Sequence, residues 1–592
     1  MHLTLLDWLV VALYFAAAAA LAFGVLGRGK RSLADYFVSG RSLPWWLAGT
    51  SMVATTFAAD TPLAVTGMVS RHGVAGNWLW WNGALSGLLT VFFFSRLWRR
   101  AGVLTDVEFV EIRYGGKPAA VLRGARALYL ALPINLIIMG WVTRAIITIM
   151  EVALGIDGWT AALLLFGVTA AYVIFTGLWG VIITDFMQFA VAMTGSILLA
   201  VVAVHSVGGL DALAAQAAEH FGGAEALRIL PPLDSPWLPL STLLVFLAVQ
   251  WWAAWYPGAE PGGGGYVAQR MFAARDERQS LLATLWFNVA HYAVRPWPWI
   301  LVALVAAIRY PDLENPEAGY VQTMVDLLPT PLKGLLIAAF AAAYMSTIST
   351  HLNWGASYLV NDIYLRFLRP RAGDREQVVI SRIATVALMV LALITMLFID
   401  DVEQGWKILL AIGAGTGSVL ILRWYWWRIN AWSELSAMAA SFVTALFMQY
   451  GLHYDAADPS GVGYAMVMLV TVAVTTIVWI TVTLLTPAES PRVLEAFYRR
   501  VRPGGPGWRS VAGRLGFGDD RIPGGALSWM NWVAGLVAVY GALAAVGELL
   551  VGTAPRAAVW GLAAAGAFAV IARNLRADKT FRAASVDTSS QR

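Results

Sequence analysis

The fold class this sequence predicts is an all-helical protein that crosses a membrane many times, and three observations predict it. Of 592 residues, 59% are hydrophobic and only 13% charged, a balance that cannot cover a soluble surface. Apolar runs long enough for about 30 Å of hydrocarbon recur along the chain. Most of the 41 Lys and Arg fall in alternate connections between those runs. That placement accounts for the basic excess without a nucleic-acid partner. The absence of cysteine excludes thiolate metal sites, redox pairs and disulfides.

Taken in order, the runs lie near 3–26, 45–70, 76–98, 127–154, 158–178, 181–206, 240–257, 281–308, 331–364, 379–400, 406–427, 433–454, 462–486, 526–550 and 557–576, about 15 transmembrane helices. The first, Leu3 to Leu26, is too long for a signal-peptide core and is followed by RGKRS, so it reads as a retained helix. With the N-terminus outside and the C-terminus inside, the basic connections at 27–44, 96–126, 269–280, 365–382, 422–432 and 487–525 are cytoplasmic. Acidic PDLENPE at 311–317 and DAAD at 455–458 then fall outside. The stretch 487–525, rich in Arg, Pro and Gly, reads as a cytoplasmic linker.

Two runs are interrupted. In WWLAGTSMVATTFAADTPLAVTG, Asp60 and Pro62 sit at mid-membrane depth, where a charge and a missing backbone donor are both costly. The run from 240 breaks at Pro257 and continues into PGGGGY. Unwound backbone survives at that depth only where protein or a water-filled cavity satisfies it. Counted from Trp45, these are the first and sixth helices, and interruptions at matching positions of two five-helix halves point to an inverted-repeat transporter with a central site. The run 331–364 is then core helix 8. Its Ala343, Ser346 and Thr347 stand at i, i+3 and i+4 and share one face, half of an ion site, although a membrane Ser or Thr also commonly bonds back to its own helix.

Four ordered blocks, DYFVSGRSLPWW (35–46), TGLWGVIITDFMQ (176–188), YVAQRMFAARDE (266–277) and AAYMSTISTHLNWGASYLVNDIY (342–364), resemble the sodium:solute symporter family over roughly residues 27 to 430. The resemblance implies a LeuT-type 5+5 inverted-repeat fold with one extra N-terminal helix and about four extra C-terminal helices. It divides the chain into 1–44, an extra helix and loop; 45–206, the first repeat; 207–239, an extracellular loop; 240–428, the second repeat; and 429–592, the C-terminal helices and short tail. It further implies sodium ligands at the carbonyls of Ala54 and Phe57 and at Ala343, Ser346 and Thr347. A hard cation wants five or six oxygens, and an unwound segment facing two hydroxyls supplies them without a full charge. Asp185 matches the acidic residue toward the sodium exit, or is a helix-end carboxylate reaching the interface.

On the substrate side the chain departs from sugar-transporting members, with Thr61, Trp80 and Gly413 where those carry sugar-hydroxyl ligands. Trp251 and Trp252 are candidate cavity walls or, with Trp424, Trp426 and Trp427, belt residues. Asp60, Arg144 and Arg295 remain charged at depth; an Arg clamps a substrate carboxylate, or the charges pair internally. His351 reads as a packed polar residue in preference to a proton carrier, and GAGTGS at 413–418 as small-residue packing within a hydrophobic helix rather than a nucleotide loop. The expected function is sodium-coupled import of a small organic solute, a carboxylate or amino acid rather than a sugar. The alternatives are a proton-coupled carrier and a sensor or scaffold, the latter disfavoured by the short tail after Arg576. No enzyme chemistry, organic cofactor, nucleic acid or obligatory protein partner is implied beyond sodium, solute and lipid, and the expected location is the plasma (inner) membrane.

Overall fold

The computed structural model describes residues 3–25, 41–103, 105–173, 178–234, 239–254, 262–399, 402–454, 462–518 and 520–578. Among these, every element is helical apart from one parallel bridge between Leu43 and Ala274. In chain order the main elements are α1 (Leu5–Val25), α2 (Trp45–Thr55), α3 (Thr61–His72), α4 (residues 78–101, in short segments), α5 (Gly116–Leu154), α6 (Gly158–Val173) and α7 (Leu178–Ser206). They continue as α8 (Leu240–Ala253), α9 (Gly265–Ala273), α10 (Glu277–Arg309), α11 (Leu332–Leu368), α12 (Asp374–Met396), α13 (Val402–Ile412) and α14 (Thr416–Tyr425). After these come α15 (Ala431–Gly451), α16 (Val462–Leu485), α17 (Pro491–Val501), α18 (Gly525–Val551) and α19 (Ala554–Ala577). Nine described helices are long and apolar enough to cross a membrane, or ten with the bent α13/α14 pair taken as one. The expected spans at 45–70 and 76–98 are split into shorter helices, and α6 has 16 residues.

The break between α2 and α3 stands where Asp60 and Pro62 predict it. Pro62 lies in the first turn of α3, where its missing N–H costs nothing, so a helix can begin there but not run through it. The released end of α2 is satisfied locally: Thr55 donates its hydroxyl to the Ser51 carbonyl at 2.8 Å and Thr56 to that of Val53 at 2.8 Å.

The second interruption corrects the expected boundaries. Residues 265–273 were expected beyond the membrane run and partly within a polar loop, yet they form the buried helix α9; Pro257 itself lies outside the described residues. The reason is Arg270, which is fully buried and donates to the Thr55 hydroxyl at 3.1 Å and the Tyr266 carbonyl at 3.3 Å.

A third interruption was not expected. GAGTGS does not lie inside a continuous helix: α13 and α14 meet at a 50° bend. Gly415 takes φ +87°, and a Cβ there would come 2.5 Å from Thr475 Cβ. Its N–H donates to the Ala253 carbonyl at 2.9 Å, and the Ser441 hydroxyl reaches the freed carbonyls of Ile412 and Ala414 at 2.6 and 2.5 Å. Gly415→Ala is expected to lower stability by about 2 kcal/mol, from positive-φ strain plus overpacking, read as a lower melting temperature in detergent.

The stretch 487–525 is more than a linker. It folds α17 and a short helix, Arg509–Arg514, and buries Phe497, Tyr498 and Trp508. Trp424 is fully buried and no belt residue: its ring lies 4.9 Å from Trp98 and 4.4 Å from Phe109. Trp426 and Trp427 are partly buried against the same core. A buried charge cluster docks α15 onto the core, where Glu434 accepts from Arg126 at 3.2 Å, Arg423 at 3.3 Å and Tyr114 at 2.6 Å. At the other end of the chain α1 is pinned to the start of α11, because Asp7 accepts from the Gly334 N–H and the Thr330 hydroxyl, both at 3.1 Å.

Candidate functional site

The first two interruptions converge on a central cavity. The α2/α3 break contributes Thr55, Thr56, Asp60 and Thr61; α4 contributes Trp80, Asn82 and Ser86; and α5 contributes Trp141. Gln250 and Trp251 of α8 and Tyr266 of α9 enter from the second break. His291, Tyr292 and Arg295 come from α10, Thr347 and His351 from α11, and Trp406 from α13.

Of the three charges expected at depth, Asp60 and Arg295 line the cavity, and each stands at the end of a half-helix. Arg295, 1% exposed, donates to the Val53 carbonyl at 3.3 Å and the Thr56 hydroxyl at 3.2 Å, at the C-terminal end of α2, and its guanidinium lies 5.1 Å from the Trp299 ring centre. Asp60 stands at the N-terminal end of α3, accepts from the Thr61 hydroxyl at 3.4 Å and feels the charge of Arg295. A cation at a helix C-terminus and an anion at a helix N-terminus both match the backbone dipole. Burial inside the core makes that matching count, since water screens neither charge well.

Much of the remaining polar wall is already engaged. The Asn82 amide donates to the carbonyls of Trp78 and Leu79, both at 2.8 Å, and Trp80 Nε1 donates to Asn77 at 2.9 Å. The Trp80 ring stacks on Tyr292 at 5.8 Å and meets His291 edge-on at 5.4 Å. His291 Nδ1 lies 3.1 Å from the Thr56 hydroxyl. His351 Nδ1 lies 2.7 Å from Asn135 Oδ1, and the Asn135 amide donates to the His351 carbonyl at 2.9 Å, which is the packed role expected for it.

Of the other expected substrate residues, Thr61, Trp80 and Trp251 line the cavity beside Asp60 and Arg295, whereas Arg144, Trp252 and Gly413 do not. Arg144 is half-buried on α5, with its carbonyl accepting from Thr148 at 3.2 Å; Trp252 donates back to the Ala248 carbonyl at 2.7 Å; Gly413 belongs to the α13/α14 break. Trp141, Gln250, Tyr266, His291, Tyr292 and Trp406 line the cavity and were not singled out. A polar residue inside an apolar run was the available signal for Gln250 and His291.

The five expected sodium positions are all buried: Ala54 and Phe57 at the α2/α3 break, and Ala343, Ser346 and Thr347 on α11. α2 and α11 pack against each other, and Thr347 also reaches the cavity wall. The Phe57 ring lies 5.2 Å from Trp299. The Ala54 carbonyl accepts from the Phe57 N–H at 3.0 Å, which draws the break into a turn. Asp185 belongs to α7, but its side chain lies outside the described residues.

Interrupted helices around a central cavity lined by aromatic and polar side chains define a secondary carrier of LeuT-type architecture. The chain belongs to the sodium:solute symporter family, whose sequence profile matches residues 36–441. It is a multi-pass integral membrane protein and a sodium-coupled symporter, not an enzyme. It is similar to a sodium/glucose cotransporter of Vibrio parahaemolyticus, 26% identical with 76% of this chain and 86% of that protein covered. A sodium/mannose cotransporter of Bos taurus is 24% identical, with 76% and 80% covered. Among solved structures, the substrate-bound outward-open state of a sodium-coupled sialic acid symporter shares the fold at a TM-score of 0.63, with 20% identity and 82% of this chain and 99% of that chain covered.

Proposed function

We propose that the protein imports a small organic solute, a carboxylate or amino acid in preference to a sugar, by sodium-coupled alternating access. The observation that carries this reading is the cavity wall: aromatic rings, one carboxylate and one guanidinium, with Asn82, His291 and Trp80 already bonded within the protein. A sugar presents many hydroxyls, each of which costs free energy if it enters a dry site without a partner. The two sugar cotransporters named above set the competing reading, and cargo tests must include sugars.

Sodium bridges the α2/α3 break and α11 through the carbonyls of Ala54 and Phe57, the backbone of Ala343 and the hydroxyls of Ser346 and Thr347; solute binds next to it, between the breaks. Asp185 lies along the sodium exit. Residues 45–206 and 240–428 act as the two inverted repeats, with the N-terminus outside, the C-terminus inside and the plasma (inner) membrane as location. The distribution of Lys and Arg supports that orientation. One sodium ion falling through 100 mV gives about 2.3 kcal/mol, and each tenfold sodium gradient adds about 1.4 kcal/mol. For a zwitterionic amino acid the two together, about 3.7 kcal/mol, sustain a solute gradient of roughly 400-fold, whereas for a monocarboxylate the moved charges cancel and the sodium gradient alone drives uptake.

The test is uptake into proteoliposomes of ¹⁴C-labelled amino acids, short monocarboxylates and hexoses. Amino acids or monocarboxylates are expected to accumulate only with inward sodium. Sodium-driven hexose uptake alone would overturn the cargo reading. Uptake that survives replacement of sodium by choline but collapses with an uncoupler would make protons the coupling ion, and absence of all uptake would favour a sensor.

A further inference from the structure

Two helices outside the ten-helix core, α15 and α16, reach the interruptions that shape the cavity. Gln250 closes a π-helical turn, Phe246–Gln250, near the end of α8; it is 2% exposed and lines the cavity. Its Nε2 donates to the Leu79 carbonyl at 3.0 Å. A carbonyl can only accept, so this contact fixes which end of the amide is nitrogen. Oε1 therefore faces α16, where the Tyr464 hydroxyl donates to it at 2.7 Å. Tyr464 is 1% exposed, with its ring 6.0 Å from Phe246. A glutamine amide has two N–H donors and two acceptor lone pairs. Leu79 and Tyr464 take one of each, leaving one donor and one acceptor for the cavity. The backbone beyond Gln250 is held from the same side: Ala253 accepts from Gly415, and Gly415 is backed by Thr475 of α16.

We propose that Tyr464 is a positioning residue for the solute: through Gln250 it holds the end of α8 and aims one amide N–H and one amide lone pair into the cavity. The proposal rests on the solute occupying that cavity. Its physical basis is that an interrupted helix cannot hold its own last turn, so the orientation of a side chain on that turn must come from outside it. Without the hydroxyl, the amide oxygen turns to whatever donor the cavity supplies, and residues 250–254 loosen.

The chain contains no cysteine, so a single Ala254→Cys reports alone. Labelling of that cysteine by N-ethylmaleimide is expected to accelerate about tenfold in Tyr464→Phe, the equivalent of one lost hydrogen bond. Gln250→Leu should give the same acceleration, and the two changes together should add nothing further. With the ¹⁴C amino-acid and monocarboxylate mixtures, Tyr464→Phe should raise the half-saturating solute concentration about tenfold while the maximal rate and the half-saturating sodium concentration stay unchanged. An unchanged labelling rate overturns the proposal whichever solute is carried, and so does a Tyr464→Phe effect that adds fully to that of Gln250→Leu. Failure of wild-type protein to take up either mixture overturns the cargo reading instead, and leaves the labelling result to judge Tyr464.

Discussion

Sodium-driven uptake by the double variant Ser346→Ala with Thr347→Ala is expected to need about a hundredfold more sodium for half-maximal rate, because each hydroxyl facing a cation contributes about 1.5 kcal/mol and 1.4 kcal/mol is tenfold. Both residues are buried, Ser346 at 8% and Thr347 at 4% exposure, on a helix that packs against α2. Water therefore replaces the missing oxygens poorly. Alanine fits either position without a clash, so the melting temperature in detergent should hold in the absence of sodium, while the stabilisation that added sodium confers should disappear. Thr347→Ser keeps an oxygen and is expected to recover most of the sodium affinity lost by Thr347→Ala. An unchanged sodium requirement in the double variant would remove both residues from the ion site.

Arg295→Met is expected to abolish uptake and to destabilise the fold by about 3–5 kcal/mol, the usual cost of removing one member of a buried charge arrangement. Methionine fills much of the volume but removes one of the donors to the Val53 carbonyl and the guanidinium that donates to the Thr56 hydroxyl, and it leaves Asp60 without its nearby cation. Arg295→Lys should recover stability only in part, because an ammonium lacks the planar fork and the stacking on Trp299. Adding Asp60→Asn to Arg295→Met removes both charges and should recover part of the lost melting temperature. That recovery separates two roles. If Arg295 served the solute alone, Arg295→Met would keep its melting temperature and lose affinity only for anionic solutes.

The first interruption was legible because Asp60 and Pro62 make an unbroken membrane helix costly in two independent ways. The shared face of Ala343, Ser346 and Thr347 was legible for a similar reason: hydroxyls at i+3 and i+4 in an otherwise apolar helix are local facts. α9 was not legible, because an arginine in YVAQR reads as solvent-exposed until its partners are known. Those partners, Ser51 and Thr55 on α2, lie more than two hundred residues away. The α13/α14 break was likewise hidden, since Gly and Ala there suit close helix packing as well as a bend. Ala253, Thr475 and Ser441 decide between the two, and all three belong to other helices.

The wall of the cavity was only partly readable. A soluble helix announces its inward face by polarity, but a membrane helix that is apolar all round does not. Trp80 and Trp251 were therefore candidates, whereas Trp141 and Trp406, chemically no different, were passed over; Trp252, next in the chain to Trp251, bonds back to Ala248 and stays out of the cavity.

By itself, then, the sequence determined the membrane class, the first break and the face of α11 that carries Ala343, Ser346 and Thr347, because each of these depends on the cost of particular residues in hydrocarbon. Only the tertiary structure decided that residues 265–273 form the buried helix α9, that α13 bends into α14, and which aromatic and polar side chains meet around the cavity. Those outcomes depend on hydrogen bonds between helices far apart in the chain, and no local pattern records which partner will arrive.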